Sequence, residues 1–223
     1  MKQSLVSFII AIIALSSCST GRYFAGFKAE DVESEFALLG PISHQYYTDS
    51  HRNEFYSDSL SVLSENLICE IVPQVGVRVN CLLPLDSLQR EEAEAYICYV
   101  AAHDVSKAND FPIPDVLDKL LEESGYRYGL LLFSEGMSHD AGEYLGRAAF
   151  GLGLGILTAI MTGGLFAVYA VPTPSMAVMY AAVLDSRTDR VVFFNLREYD
   201  TYNPVTYNNV KAQLSALLKK LRQ

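Results

Sequence analysis

Met176-Ala177-Val178-Met179-Tyr180-Ala181-Ala182-Val183-Leu184, then Asp185-Ser186-Arg187-Thr188-Asp189, then Val191-Val192-Phe193-Phe194-Asn195-Leu196: this stretch sets the fold class. Two apolar runs of strand length flank a polar turn, a pattern that predicts two strands joined by a hairpin. Upstream, residues 128–133 form another continuous apolar run, read as a strand, and the helix before it carries Val116, Leu117, Leu120 and Leu121 on one face and stops at Gly125. Downstream, Asn203-Pro204 reads as an N-cap followed by proline at the first helical position. The helix after it places Val210, Leu214, Leu217, Leu218 and Leu221 at helical spacing, with Lys219, Lys220 and Arg222 in its last turn, where cations favour the dipole.

Further toward the amino end the periodicity persists. Leu60, Leu63, Leu67, Ile68 and Ile71 predict a helix to about residue 72, closed by Pro73 and Gly76. Residues 75–83 alternate as a strand through Val75, Val77, Val79 and Cys81, which puts Cys81 on the inward face. Asp86 and Gln89 form a capping box for a helix to about His103, and Phe111-Pro112-Ile113-Pro114 makes a loop. Residues 19–54 read as a tether followed by one strand around residues 36–42. The predicted architecture is α+β or α/β: a small mixed sheet flanked by helices, with an apolar, Gly-rich hairpin insertion at residues 141–175.

Length and composition narrow the function. The chain has 223 residues, enough for one domain with an insertion, and half of them are hydrophobic, which excludes global disorder. Lys+Arg number 17 against 26 Asp+Glu, a net charge of −9. No basic stripe is available to displace counterions, so a nucleic-acid partner is excluded.

The insertion is the most unusual stretch. Residues 148–171 comprise 24 residues without a charge, bounded by Arg147 and by Pro172-Thr173-Pro174. Gly151, Gly155, Ala159, Gly163 and Ala167 recur every fourth position, a small-residue ridge that lets helix backbones approach closely in lipid. Each glycine weakens a helix by about 1 kcal/mol relative to alanine, so a soluble core helix would rarely collect so many. A single crossing would leave residues 128–133 and 176–196 on opposite sides of the membrane and split the sheet. Thr162-Gly163-Gly164 offers a mid-segment turn, so a hairpin entering and leaving on one side is expected, with membrane contact or self-association as its role. Its arms are expected to be helical. The alternation of Phe150, Leu152, Leu154 and Ile156 with glycines leaves strands as the alternative.

At the amino end, Lys2 precedes an apolar run at residues 5–15 that is too short to span a bilayer as a helix. Leu15-Ser16-Ser17-Cys18 follows, and this resembles the lipobox of bacterial lipoproteins. The resemblance implies a signal peptide at residues 1–17, acylation of Cys18 and a lipidated tether at residues 18–54 ahead of a periplasmic domain at 55–223. Ser19-Thr20-Gly21-Arg22, with no Asp beside Cys18, resembles the pattern released to the outer membrane, on its periplasmic face. More than one acyl chain makes such anchoring stable. The anchor, and not electrostatics, has to hold so acidic a body at an anionic lipid surface.

A second resemblance rests on element order. A helix ended by Gly125, a strand at 128–133, an inserted segment, a hairpin with an Asp-x-x-Thr turn and a C-terminal helix are similar to the periplasmic α/β domain of envelope lipoproteins. The curli secretion-channel lipoprotein and its relatives share that order and a membrane-active insertion between the two strands. The present insertion departs from theirs in being almost wholly apolar.

Catalytic signatures are absent. Ser134-Glu135-Gly136-Met137-Ser138-His139-Asp140 sets Ser, His and Asp nearly side by side, but triad roles need distinct directions in space, so a polar connection leaving the strand is expected. His44, His51, His103 and His139 read as isolated, Glu91, Glu92 and Glu94 as a solvated helix face, and no spacing supports a metal or a cofactor. Cys69, Cys81 and Cys98 allow one disulfide at most and are expected to be buried, inert thiols. Tyr46, Tyr47 and Tyr56 mark a candidate binding surface, with lining of the core's edge as the alternative in a chain of 14 Tyr and no Trp. The resulting expectation is a non-enzymatic, membrane-anchored envelope lipoprotein that forms a homo-oligomer in an export or assembly complex. The rival is a periplasmic lipoprotein hydrolase or ligand-binding module with a dispersed site.

Overall fold

The computed structural model describes residues 22–23, 27, 36–48, 54–103, 112–139, 175–200 and 203–222. Its chain order is β1 (Arg22–Tyr23), β2 (Phe36–Leu39), β3 (Ile42–Thr48), β4 (Glu54–Tyr56), α1 (Asp58–Ile71), β5 (Val79–Leu83), α2 (Ser87–Ala102), α3 (Asp115–Ser124), β6 (Tyr128–His139), β7 (Met176–Asp185), β8 (Arg190–Asp200) and α4 (Tyr207–Leu217). These strands make one mixed sheet of eight, in the order β1-β8-β7-β6-β2-β5, with β3 lying on β6 beyond β2 and β4 on β3. The fold class is α+β.

The β7–β8 hairpin forms where the apolar runs predict it, with Asp185 paired to Arg190 and Met176 to Asp200. Asp185 organises the turn. Its carboxylate accepts from Arg187 N at 3.1 Å and Thr188 Oγ1 at 3.0 Å, and takes both Nε and Nη2 of Arg127 at 2.8 and 2.9 Å. Burial pushes this carboxyl's pKa up, but the Arg127 and Thr188 hydrogen bonds outweigh it and hold the group below the usual carboxylate range. A register shift between Val183 and Leu184 bulges β8, which is why Val192 and Phe193 face one core while Val191 and Phe194 face the other.

Both sheet faces are covered by helices. On one, Ile68 and Ile71 of α1 and Val210, Leu214 and Leu217 of α4 meet Phe36, Leu130, Leu132 and Phe193. On the other, Ala93 and Ile97 of α2 and Leu117 and Leu121 of α3 meet Leu39, Leu131, Ala182 and Phe194. A side chain at Gly129 would come within 2.9 Å of Leu121, so the glycine lets α3 lie close on the sheet. Alternation along β6 sends successive residues to opposite cores, which explains an unbroken apolar run in a strand packed on both sides.

Several expectations are corrected. The domain begins before residue 55: β2 and β3 replace the single predicted strand, and both lie parallel against β6 inside the sheet, kinked apart at Gly40-Pro41. Residues 75–83 are not one strand. Residues Val72–Val75 continue α1 as a 3-10 turn, Gly76 turns left-handed at φ 84°, and β5 starts at Val79. A shift between Phe36 and Ala37 in the β2–β5 register breaks the alternation, so Val79 packs on one core and Cys81, half-buried, on the other. Asn203 does not cap α4. Its side chain accepts from Val205 N at 3.0 Å in a turn ahead of the helix, and Thr206 occupies the N-cap position. The capping box at Asp86 and Gln89 and the Gly125 stop of α3 stand as predicted, and Ser57 caps α1 by accepting from Leu60 N. Among the described residues no helix is long and apolar enough to cross a membrane, a statement that bears on helices alone.

Candidate functional site

The candidate site is the end of the sheet from which the insertion departs. Strand β6 does not stop at Phe133 as expected. Ser134 to His139 extend it, paired with β3 on one side and, as far as Met137, with β7 on the other. The predicted polar connection is therefore a central strand, because β3 and β7 offer it ladders on both edges. Met137 pairs directly with Met176. The chain thus leaves the sheet and returns to it at one place, between two adjacent antiparallel strands. Tyr46 packs with both methionines.

Beside this root stands the β3–β4 ribbon. Tyr47 and Phe55 stack at 5.4 Å on one face, and Tyr46 meets Tyr56 edge-on at 5.7 Å on the other. Tyr47, Phe55 and Tyr56 are each exposed by 41–47%. The sequence reading named the tyrosines and missed Phe55; the signal was its apolar character in a short run before the Ser57 cap.

Sheet alternation divides the polar groups here. Ser43, Gln45, Ser134 and Gly136 belong to one face. Gln45 donates to Ser43 Oγ at 2.9 Å and Ser134 Oγ at 3.4 Å, and a side chain at Gly136 would collide with the Gln45 amide and sit 3.1 Å from Pro204. His44 and Glu135, which are register partners, belong to the other. His44 Nε2 lies 3.0 Å from Glu94 Oε2, so neither His44 nor Glu94 is the isolated surface group expected from sequence; they are 50 residues apart in the chain. The Glu94 hydrogen bond, against opposition from burial, raises the His44 pKa, and burial raises that of Glu135, which His44 partly offsets.

The remaining candidates scatter. Ser134 and His44 point from opposite faces, and His103, at the end of α2, places Nδ1 2.8 Å from Tyr99 O. Ser134 faces the Gln45 side of the sheet while His44, Glu94 and Glu135 meet on the other, and the side chain of His139 lies outside the described ones. Cys69, Cys81 and Cys98 are free and half-buried. Burial pushes the Cys98 thiol up to about 11 and the Cys69 thiol up as well, so both remain protonated and unreactive near neutral pH. Cys18, Gly151, Gly155, Ala159, Gly163, Ala167 and His51 lie outside the described residues.

No protein-family model and no curated protein matches this chain. Two solved structures are similar to it: a methionine-substituted PelC dodecamer from Paraburkholderia phytofirmans, at TM-score 0.41 and 9% identity, covering 92% of this chain and 99% of that one; and a PelC dodecamer from the same organism, at TM-score 0.40 and 10% identity, covering 92% and 97%. At these scores the likeness transfers neither assembly nor function to the present chain.

Proposed function

We propose that this chain is a non-enzymatic, lipid-anchored envelope protein: Cys18 carries the acyl anchor at the periplasmic face of the outer membrane, and the α+β domain presents residues 141–175 as an apolar hairpin. The hairpin serves membrane contact and association of copies within an export or assembly complex. One observation carries this reading. Met137 and Met176 are partners in the ladder, so a stretch holding 24 uncharged residues leaves and re-enters on one side of an intact sheet. A hairpin satisfies that constraint and a single crossing does not. The small-residue ridge from Gly151 to Ala167 supports close backbone contact, with the second arm or with another copy. The division of Ser134 and His44 between opposite faces supports the non-enzymatic reading over the hydrolase.

The test is deletion of residues 145–172, bridged by a short Gly/Ser linker, in a Cys18→Ala background so that acyl chains do not mask the hairpin. Oligomer size in mild detergent and membrane extraction are expected to fall together. Gly155→Leu is expected to weaken association more than Leu157→Ala. Unchanged oligomer size and unchanged extraction after the deletion would overturn the proposal. Acyl labelling lost in Cys18→Ala but present in the parent checks the anchor.

A further inference from the structure

Among the described residues, no strand pairs with the outer edge of β3 over part of its length. Strand β4 pairs only with Tyr46 to Thr48, and β5 pairs with β2. Side chains cover the gap. Ser61 Oγ and Glu65 Oε1 of α1 accept from the backbone N–H groups of Gln45 and Ser43, at 2.9 and 3.2 Å. Glu65 in turn pairs with Arg90 of α2. Because α1 and α2 lie on opposite faces of the sheet, the Glu65–Arg90 pair wraps its edge. One turn along α2 from Arg90, Glu94 takes His44. A bare edge is thus closed by a belt of charges rather than by a strand.

The belt is not balanced. Glu65 of α1, Glu94 of α2 and Glu135 of β6 supply three carboxylates, and Arg90 is the permanent cation among these groups. His44 is the titratable one. Its ring lies 5.8 Å from Tyr56 of β4 and 5.6 Å from Phe133 of β6, and its side chain is 29% exposed, so it is held between the two carboxylates of its own face. The other titratable groups near those carboxylates are Tyr46 of β3, Cys98 of α2 and Tyr180 of β7, all neutral near pH 7.

We propose that protonated His44 is a pH-dependent clasp that ties α2 to β3 and β6 at the root of the insertion. Closed, it links Glu94 to the strand pair whose next row is Tyr46, Met137 and Met176. Deprotonated, it no longer offsets the charge of Glu94 beside it, and the hold of α2 on this end of the sheet weakens. The direction follows from linkage: the Glu94 bond raises the folded pKa of His44, so the clasp is fully present below the ordinary histidine value of about 6.5 and is lost as pH rises through the folded value. The clasp does not depend on what the insertion does.

The full chain in mild detergent can be followed by histidine ring NMR and by hydrogen exchange corrected for intrinsic pH dependence. His44 is expected to titrate above the ordinary value, and Glu94→Gln to lower its pKa. Protection over residues 42–48 and 87–102 should fall as pH rises through the His44 transition, while residues 180–184 stay unchanged. His44→Gln should abolish that pH dependence; if that variant does not fold, Glu94→Gln serves, and should shift the loss of protection to lower pH. Titration of His44 at or below the ordinary value, or the same pH dependence in the variant, would overturn the clasp.

Discussion

Strand β6 passes through two environments, and its two halves carry opposite chemistry. From Leu130 to Phe133 every side chain is at most 4% exposed and meets leucine, isoleucine, valine or an aromatic on both faces. From Ser134 to Gly136 the same strand carries a hydroxyl, a carboxyl and a glycine, with Ser43, His44 and Gln45 as its partners on the β3 side and apolar Met179, Val178 and Ala177 on the β7 side. Near the turn end, Arg127 and Asp185 close the β7–β8 hairpin with paired charges. At or near the insertion end, Gln45 Oε1, Ser64 Oγ, Arg197 Nε and both amide atoms of Gln213 are buried with no protein partner among the described residues, while Asn195 Oδ1 in the middle of β8 and Asp118 Oδ1 on α3, toward the turn end, share that state. Each unmet buried group costs about 1–3 kcal/mol, whereas each fully buried large apolar side chain contributes about 1.5–3 kcal/mol. More of these unmet groups lie toward the insertion end, so local opening is expected to be cheaper there than at the turn end.

The largest test of that asymmetry is Phe193→Ala. Phe193 is fully buried against α4 and its loss should cost about 3–5 kcal/mol of unfolding free energy by urea titration. A cost below about 1 kcal/mol would mean the apolar end does not hold the fold. Next is Asp185→Asn, which leaves Arg127 without its carboxylate and should cost roughly 3 kcal/mol near neutral pH. The folded pKa of Asp185 is depressed, so its contribution is present above an unfolded value of about 3.9 and is lost as pH falls through the folded value. Parent and variant should therefore converge in stability in strong acid. The smallest effect is at the polar end. Gly136→Ala would press a methyl against the Gln45 amide and Pro204, and should cost about 1–3 kcal/mol. Its hydrogen-exchange signature should be confined to residues 42–48 and 134–139. A cost as large as that of Phe193→Ala would erase the contrast between the two ends.

Much of the fold was legible in the sequence because it is local. Strand runs at 128–133, 176–184 and 191–196, the Asp86–Gln89 capping box and the Gly125 stop depend on residues within a few positions of one another. What was misread depends on partners far along the chain. Ser134 to His139 look like a loop because their composition is polar. They are a strand because β3 and β7 each present a ladder edge. Residues 19–54 read as a tether followed by one strand around residues 36–42, whereas β2 and β3 are two strands that both pair with β6. His44 and Glu94, 50 positions apart, carry no local sign of their meeting.

The sequence by itself determined the class of the fold, the net acidity of the chain and the existence of a long uncharged segment between two strands. These are properties of composition and of periodicity, which burial on a sheet or helix face imposes on neighbouring residues. Only the tertiary structure decided that the segment's two ends are ladder partners, that serine and histidine at this end point to opposite faces, and that a charged belt closes the edge of β3. Those outcomes depend on strand register, and a shift of one residue would reverse every side chain. Register is set by the packing of the whole sheet against the helices on its two faces, which no short stretch of the chain contains.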